Sequence, residues 1–267
     1  MPRLLIFLLI VAICGALDIA LHMVGGDLMP MPSVFSPLVN QFGFSTVAAA
    51  WIALAFTGMG LAFLFWARHM VGSGWPKGVR YGLALGLMIL IAMFEGVGLL
   101  GTPLIGELVM GLADAIPIAL MIALLGWKLA PDSPNADTRG RLPGLLVLVV
   151  FALVFGFGRA GIQYLGLIES GLTERALPNL FWPFAMGAAT GVLFLAVTDA
   201  LRDLSRVSAA LAFGLGVFGV NWALFMSFVP MVFPDAWADT ALRVGLDILI
   251  VTCAALLVAR LRPQAAG

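Results

Sequence analysis

Asp18 and His22 stand four residues apart in one apolar stretch, and Arg159 and Gln163 repeat that spacing in another. Setting Pro2 against Pro143 and reading on without a gap places Gly15 on Gly156, Asp18 on Arg159, His22 on Gln163 and Gly25 on Gly166. The four-residue spacing puts both polar groups of each pair on one helix face. A charge in hydrocarbon costs several kcal/mol unless it is paired or hydrated. Opposite charges at equivalent positions therefore predict a partnered polar interior, with Asp18 and Arg159 as partners.

Other ionisable groups join this layer. Counted at 1.5 Å per residue from the nearest basic residue at a helix end, five of them lie about 20–27 Å deep. They are Asp18 (15 residues from Arg3), Glu95 (15 from Arg80), Asp114 (14 from Lys128), Arg159 (18 from Arg141) and Asp247 (13 from Arg260). Asn221 falls at a similar depth, His22 and Gln163 sit one turn further out, and Glu107 and Arg243 lie further out again. Arg243 and Asp247 have the i, i+4 spacing of a helix ion pair.

The candidate substrate-binding set is thus Asp18, His22, Glu95, Asp114, Arg159, Gln163, Asn221, Arg243 and Asp247. Asp18, Glu95, Asp114 and Asp247 are four acids facing two bases, Arg159 and Arg243. At least one acid must then hold a proton, bind a cation or be hydrated. Glu95 and Asp114 have no sequence-local base. Pro117, three residues after Asp114, is expected to kink that helix near the acid. The bland reading of the same layer is that buried charges pair only to lock helices together.

The elements that carry these groups follow from composition. The chain has 267 residues, 62% hydrophobic and only 10% charged, with zero net charge. Apolar runs cover about residues 4–22, 45–67, 79–100, 104–126, 143–166, 181–200, 206–229 and 241–260. Each is long enough to cross about 30 Å of hydrocarbon. The expected fold is an all-α integral membrane protein with eight transmembrane helices.

Eleven of the 14 basic residues lie at one set of connections, including Arg68, Lys77, Arg80, Arg139, Arg141 and Arg202. The other set carries Asp27, Glu169, Glu174, Asp235 and Asp239, with Arg175 the lone base. Basic loops stay inside, so both termini are expected in the cytoplasm and the protein in the inner (plasma) membrane. Trp66, Trp75 and Trp127 are expected at the inner interface and Trp182 and Trp237 at the outer one.

The correspondence between halves extends to Gly82/Gly86 against Ala210/Gly214, and to Gly111-Leu112-Ala113-Asp114 against Gly245-Leu246-Asp247. This predicts two tandem parallel four-helix repeats, residues 1–130 and 143–267, joined by a cytoplasmic linker at 131–142. Small-xxx-small pairs of this kind allow close helix contact.

Several chemistries are excluded or disfavoured. The zero net charge argues against nucleic acid as a partner. Two histidines, one at the cytoplasmic edge, cannot serve bis-histidine haem. No lysine is expected inside a helix, so no Schiff-base site is expected, and no nucleotide loop, nucleophile elbow or zincin motif occurs. Cys14 and Cys253 lie within apolar runs and form no disulfide framework.

His22-Met23 with Met29 and Met31 offers soft ligands for copper(I), but 13 methionines in an apolar chain make them ordinary. No metal site and no cofactor is assigned. The partners expected are the lipid bilayer and a small solute or ion, with assembly into homo- or hetero-oligomers left open. The leading expectation is a permease with an outward-facing polar site. The alternatives are a non-catalytic membrane subunit or assembly factor with a structural charge layer, and an intramembrane lipid-modifying enzyme.

Overall fold

Each apolar run becomes one helix, because backbone in hydrocarbon has no water to bond and must satisfy itself within the segment. A computed structural model describes residues 2–28, 32–133 and 143–261. Met29, Met31, Arg139 and Arg141, and most of the expected linker, lie outside the described residues. Eight helices are long and apolar enough to cross a membrane. They are α1 (Arg3–Leu28), α2 (Phe44–Ala67), α3 (Gly74–Leu99), α4 (Leu104–Leu129), α5 (Gly144–Tyr164), α6 (Ala176–Leu201), α7 (Arg206–Val232) and α8 (Trp237–Leu261). No strand occurs among the described residues, only an isolated bridge between Gly72 and Ser133.

Helix α3 starts earlier than its apolar run. Pro76 falls in the first turn, where a missing N–H costs nothing. Lys77, one residue on, is buried and donates to the Ala67 carbonyl (3.2 Å), the Pro131 carbonyl (2.7 Å) and Ser133 Oγ (3.0 Å). This ammonium ties the end of α2, the start of α3 and the end of α4 together. The expectation that no lysine lies inside a helix is corrected here: Lys77 and Lys128 both occupy helix end turns.

The α3–α4 seam is the tightest backbone contact. Gly74, Gly78, Gly82 and Gly86 recur once per turn along α3. A Cβ added at Gly78 would lie 2.7 Å from the Ile122 carbonyl oxygen, at Gly82 2.6 Å from that of Ala119, and at Gly86 2.9 Å from that of Ala115. Only hydrogen on these Cα atoms lets the two backbones approach so closely. Elsewhere α1 packs on α4, α5 on α6 and α8, α7 on α8, α3 on α6, and α2 on α7.

Two helices are broken. Helix α3 runs as Gly74–Met93 and Glu95–Leu99 about Phe94. Helix α7 carries a π segment, Ala212–Gly219, and is interrupted again at Ser227 between Val220–Met226 and Phe228–Val232. Breaks disturb backbone pairing, which must then be completed by side chains. Trp182 of α6 donates its indole N–H to the Ile91 carbonyl at 2.7 Å, and Trp51 of α2 donates to the Leu224 carbonyl at 3.1 Å. Each acceptor sits three residues before a break. Trp66 of α2 donates to the Gly216 carbonyl within the π segment (3.2 Å).

Trp66 and Trp182 are therefore buried cross-ties, whereas Trp75, Trp127 and Trp237 are exposed. At the far end of α3, Arg175 caps the Gly98 and Leu99 carbonyls (2.7 and 2.8 Å), and Asn179 adds a bond to Gly98 (3.2 Å). A cation there also suits the negative end of the helix dipole. Helix α4, by contrast, continues unbroken through Pro117.

Candidate functional site

The expected polar residues separate into two clusters, one built by a single pair of packed helices and the other by a second pair with contributions from outside it. Packing of α1 on α4 brings Asp18 and His22 to Asp114. Packing of α5 on α8 brings Arg159 to Asp247. The expected Asp18–Arg159 pair is not formed. The matched register is a linear relation and does not fix direction: each side chain turns to the acid of its own neighbouring helix.

The first cluster is fully partnered in its acids. Arg159, with no exposed surface, forks between Asp247 and Glu95 and lies 5.4 Å over the Trp182 ring. The second oxygen of Asp247 accepts the Trp222 indole N–H at 3.0 Å. Arg243 donates to the same Glu95 oxygen that Arg159 uses, to Asp239 at 3.0 and 3.2 Å, and to the Glu169 carbonyl at 2.7 Å. Glu95 therefore has two bases, not none. Arg243 turns four residues back to Asp239, not forward to Asp247 as its spacing suggested, because Asp247 is held by Arg159. The break at Phe94 puts Glu95 at the start of a new helical segment, aimed at α5 and α8. Arg–carboxylate contacts of this kind are the strong, directional class of hydrogen bond.

The second cluster is different in kind. Asp18, His22 and Asp114 each offer one ligand atom, all within 4.8 Å of one another. His22 Nδ1 lies 3.0 Å from the Asp18 backbone carbonyl and 3.4 Å from Asp18 Oδ2, and Nε2 lies 3.7 Å from Asp114 Oδ1. Asp18 and Asp114 are 1% and 3% exposed, whereas the His22 side chain is 35% exposed. Both carboxylate oxygens of Asp18 and Oδ1 of Asp114 are buried without a hydrogen-bond partner. Among the described residues no arginine or lysine pairs with either acid. The two bases of the layer are absorbed by Glu95, Asp247 and Asp239, so the whole surplus of acid falls on Asp18 and Asp114. Burying two carboxylates side by side is costly unless a cation or proton compensates.

The remaining expected residues join neither cluster. Asn221 donates to Tyr81 Oη (2.9 Å) and to the Val217 carbonyl (2.7 Å), linking α7 to α3. Gln163 is buried on α5 and its Oε1 has no partner. Glu107 is bonded to Thr102 and lies against Gly96. Asp239, Trp222 and Trp182 were missed by the sequence reading. The Asp239–Arg243 spacing was as visible as that of Arg243–Asp247, but nothing in a linear pattern announces an indole as an acid's or a carbonyl's partner.

The fold and its buried ionic clusters define a polytopic helical membrane protein. No known protein family matches the chain, and neither the curated proteins nor the solved structures contain a match to it.

Proposed function

We propose that this protein is a permease for a small cation, working through Asp18, His22 and Asp114. One observation carries the reading: buried carboxylates with unpartnered oxygens stand beside a histidine that reaches the surface. A purely structural charge would be expected to resemble Arg159, with each partner acid satisfied. Intramembrane ionisable groups without protein partners mark ion pathways. The Arg159–Glu95–Arg243–Asp247 network acts as the rigid frame against which that site works.

Two parallel four-helix repeats, 1–130 and 143–267 with a linker at 131–142, are part of the proposal. The exchange-related contacts α2–α7 and α6–α3 support it, as do the paired indole ties Trp51–Leu224 and Trp182–Ile91. Both termini are placed in the cytoplasm and the site in the outer part of an inner (plasma) membrane. Cysteines introduced at Ser73 and Ser205 are expected to react only from the cytoplasmic side, and those at Ser33 and Thr173 only from outside. All four positions are exposed, which Ser36 and Ser170 are not. Reaction of Ser33 and Ser205 variants from one side overturns the topology.

Transport is tested with the full chain in proteoliposomes under imposed gradients of H⁺, Na⁺, Zn²⁺ and Mn²⁺, each followed by an internal indicator dye. The wild type is expected to pass at least one of these cations. Asp114→Asn, which keeps shape and hydrogen-bonding capacity, is expected to abolish that flux while the amount of folded protein is unchanged. Wild-type flux per folded Asp114→Asn molecule would overturn the assignment. Absence of flux in the wild type would move the reading to a non-catalytic subunit, which the two ion pairs of Arg159 favour. An apolar groove of about 400 Å³ between α2 and α7, lined by residues such as Gly58, Phe65, Trp66 and Gly216, carries no titratable lining residue.

A further inference from the structure

We infer that Asp18, His22 and Asp114 form a binding site for one divalent transition-metal ion, an assignment that rests on the permease reading and names its substrate class. The ligand set is two carboxylates and one imidazole. Such mixed oxygen–nitrogen sets suit Mn²⁺, Fe²⁺, Co²⁺ and Zn²⁺, where an all-oxygen set would suit Ca²⁺ or Mg²⁺ and a sulfur set would suit copper(I).

Geometry supports the same conclusion. Bonds of about 2.0–2.2 Å to nitrogen and oxygen place neighbouring ligands of a four- or six-coordinate ion about 3.0–3.5 Å apart. The three ligand atoms already lie within 4.8 Å of one another, and His22 Nε2 is 3.7 Å from Asp114 Oδ1. The three atoms thus lie within about 2 Å of the separations that a bound ion imposes.

The imidazole is already oriented. With Nδ1–H donated to the Asp18 carbonyl at 3.0 Å, Nε2 keeps its lone pair and faces Asp114. A backbone carbonyl holding the other ring nitrogen is the usual second-shell support of a metal-bound histidine. The Asp18 and Asp114 oxygens without partners supply the remaining ligands, and a 2+ ion cancels their two charges. Asp18 and His22 share one face of α1 through their i, i+4 spacing, and Asp114 faces them from α4, so the ion bridges the two helices.

The probes are Zn²⁺ and Mn²⁺, titrated calorimetrically into the full-length chain in detergent micelles. The expected result is one ion per chain. Loss of a second-shell partner alone typically weakens a metal site about 10–100-fold, and loss of a ligand at least as much. His22→Gln, Asp18→Asn and Asp114→Asn should therefore each weaken binding at least about tenfold. Thermal melts of the apo variants separate this loss from misfolding. Zinc X-ray absorption on the wild type needs no variant and should report a single imidazole with oxygen ligands. A sulfur ligand, which would implicate Cys14, Cys253 or the methionines, overturns the assignment, as does unchanged affinity in all three variants. Proton or sodium flux without Zn²⁺ or Mn²⁺ binding overturns the metal site and leaves the permease. Binding of Zn²⁺ or Mn²⁺ without flux of any of the four cations supports the site and removes the permease.

Discussion

Arg159→Gln is expected to remove a large share of the stability of the folded protein. The guanidinium is the shared donor to two buried acids, Asp247 and Glu95; without it Glu95 keeps Arg243, but Asp247, with no exposed surface, loses its only base. Removing one partner of a buried pair typically costs about 3–5 kcal/mol, against a total stability of about 5–15 kcal/mol. Thermal unfolding and the yield of monodisperse protein in detergent measure the loss. The double variant Arg159→Gln/Asp247→Asn should cost less than the sum of the singles, by about 0.5–3 kcal/mol, because the second change removes the charge that the first one stranded. Asp18→Asn combined with Arg159→Gln should be additive within about 0.5 kcal/mol, since the two groups share no partner. Strict additivity of Arg159 with Asp247 would show that the fork is not what holds α5 to α8.

Gly82→Leu is the second large effect. Its Cβ would lie 2.6 Å from the Ala119 carbonyl oxygen, which is backbone of α4 and cannot swing aside. Overpacking of a tight core costs about 1–3 kcal/mol where side chains yield. Here the two helices must separate along the whole run from Gly74 to Gly86, so a cost at or above the top of that range is expected. The Asp114 site rides on α4, so metal affinity should fall together with the melting temperature. Gly245→Ala is the control. A Cβ there meets nothing within 4 Å, and the change should stay within about 1 kcal/mol of wild type. Equal melting temperatures for the two variants would contradict the seam.

The number and position of the helices were readable because length and apolarity are linear properties, and an apolar run of about 20 residues in a bilayer has one outcome. The spacing of Asp18, Arg159 and Asp247 from the ends of their helices was readable for the same reason: rise per residue is fixed. Azimuth was not readable. Whether Asp18 meets Arg159 or Asp114 depends on which helices pack together, and the small-residue seam that decides this for α3 and α4 gives no partner for α1. The breaks at Phe94 and Ser227 were also hidden. Neither residue is a helix breaker, and the proline that looked like a kink, Pro117, lies in an unbroken helix. Trp182 looked like an interface residue because indoles favour that position; only its three-dimensional neighbour, the Ile91 carbonyl, reveals it as a tie.

Those indole ties carry a consequence for biogenesis. The donor to the Ile91 carbonyl is Trp182, and the donor to the Leu224 carbonyl is Trp51. Each half of the chain thus supplies an indole to the broken third helix of the other half. A nascent chain that has inserted only its first four helices carries α3 without its cross-tie, and without Arg175 and Asn179 at its end, until α6 leaves the ribosome. Co-translational insertion therefore ends in an exchange between halves instead of two finished modules set side by side. A gene split in the linker should yield two fragments that each remain protease-sensitive alone and become protected when made together.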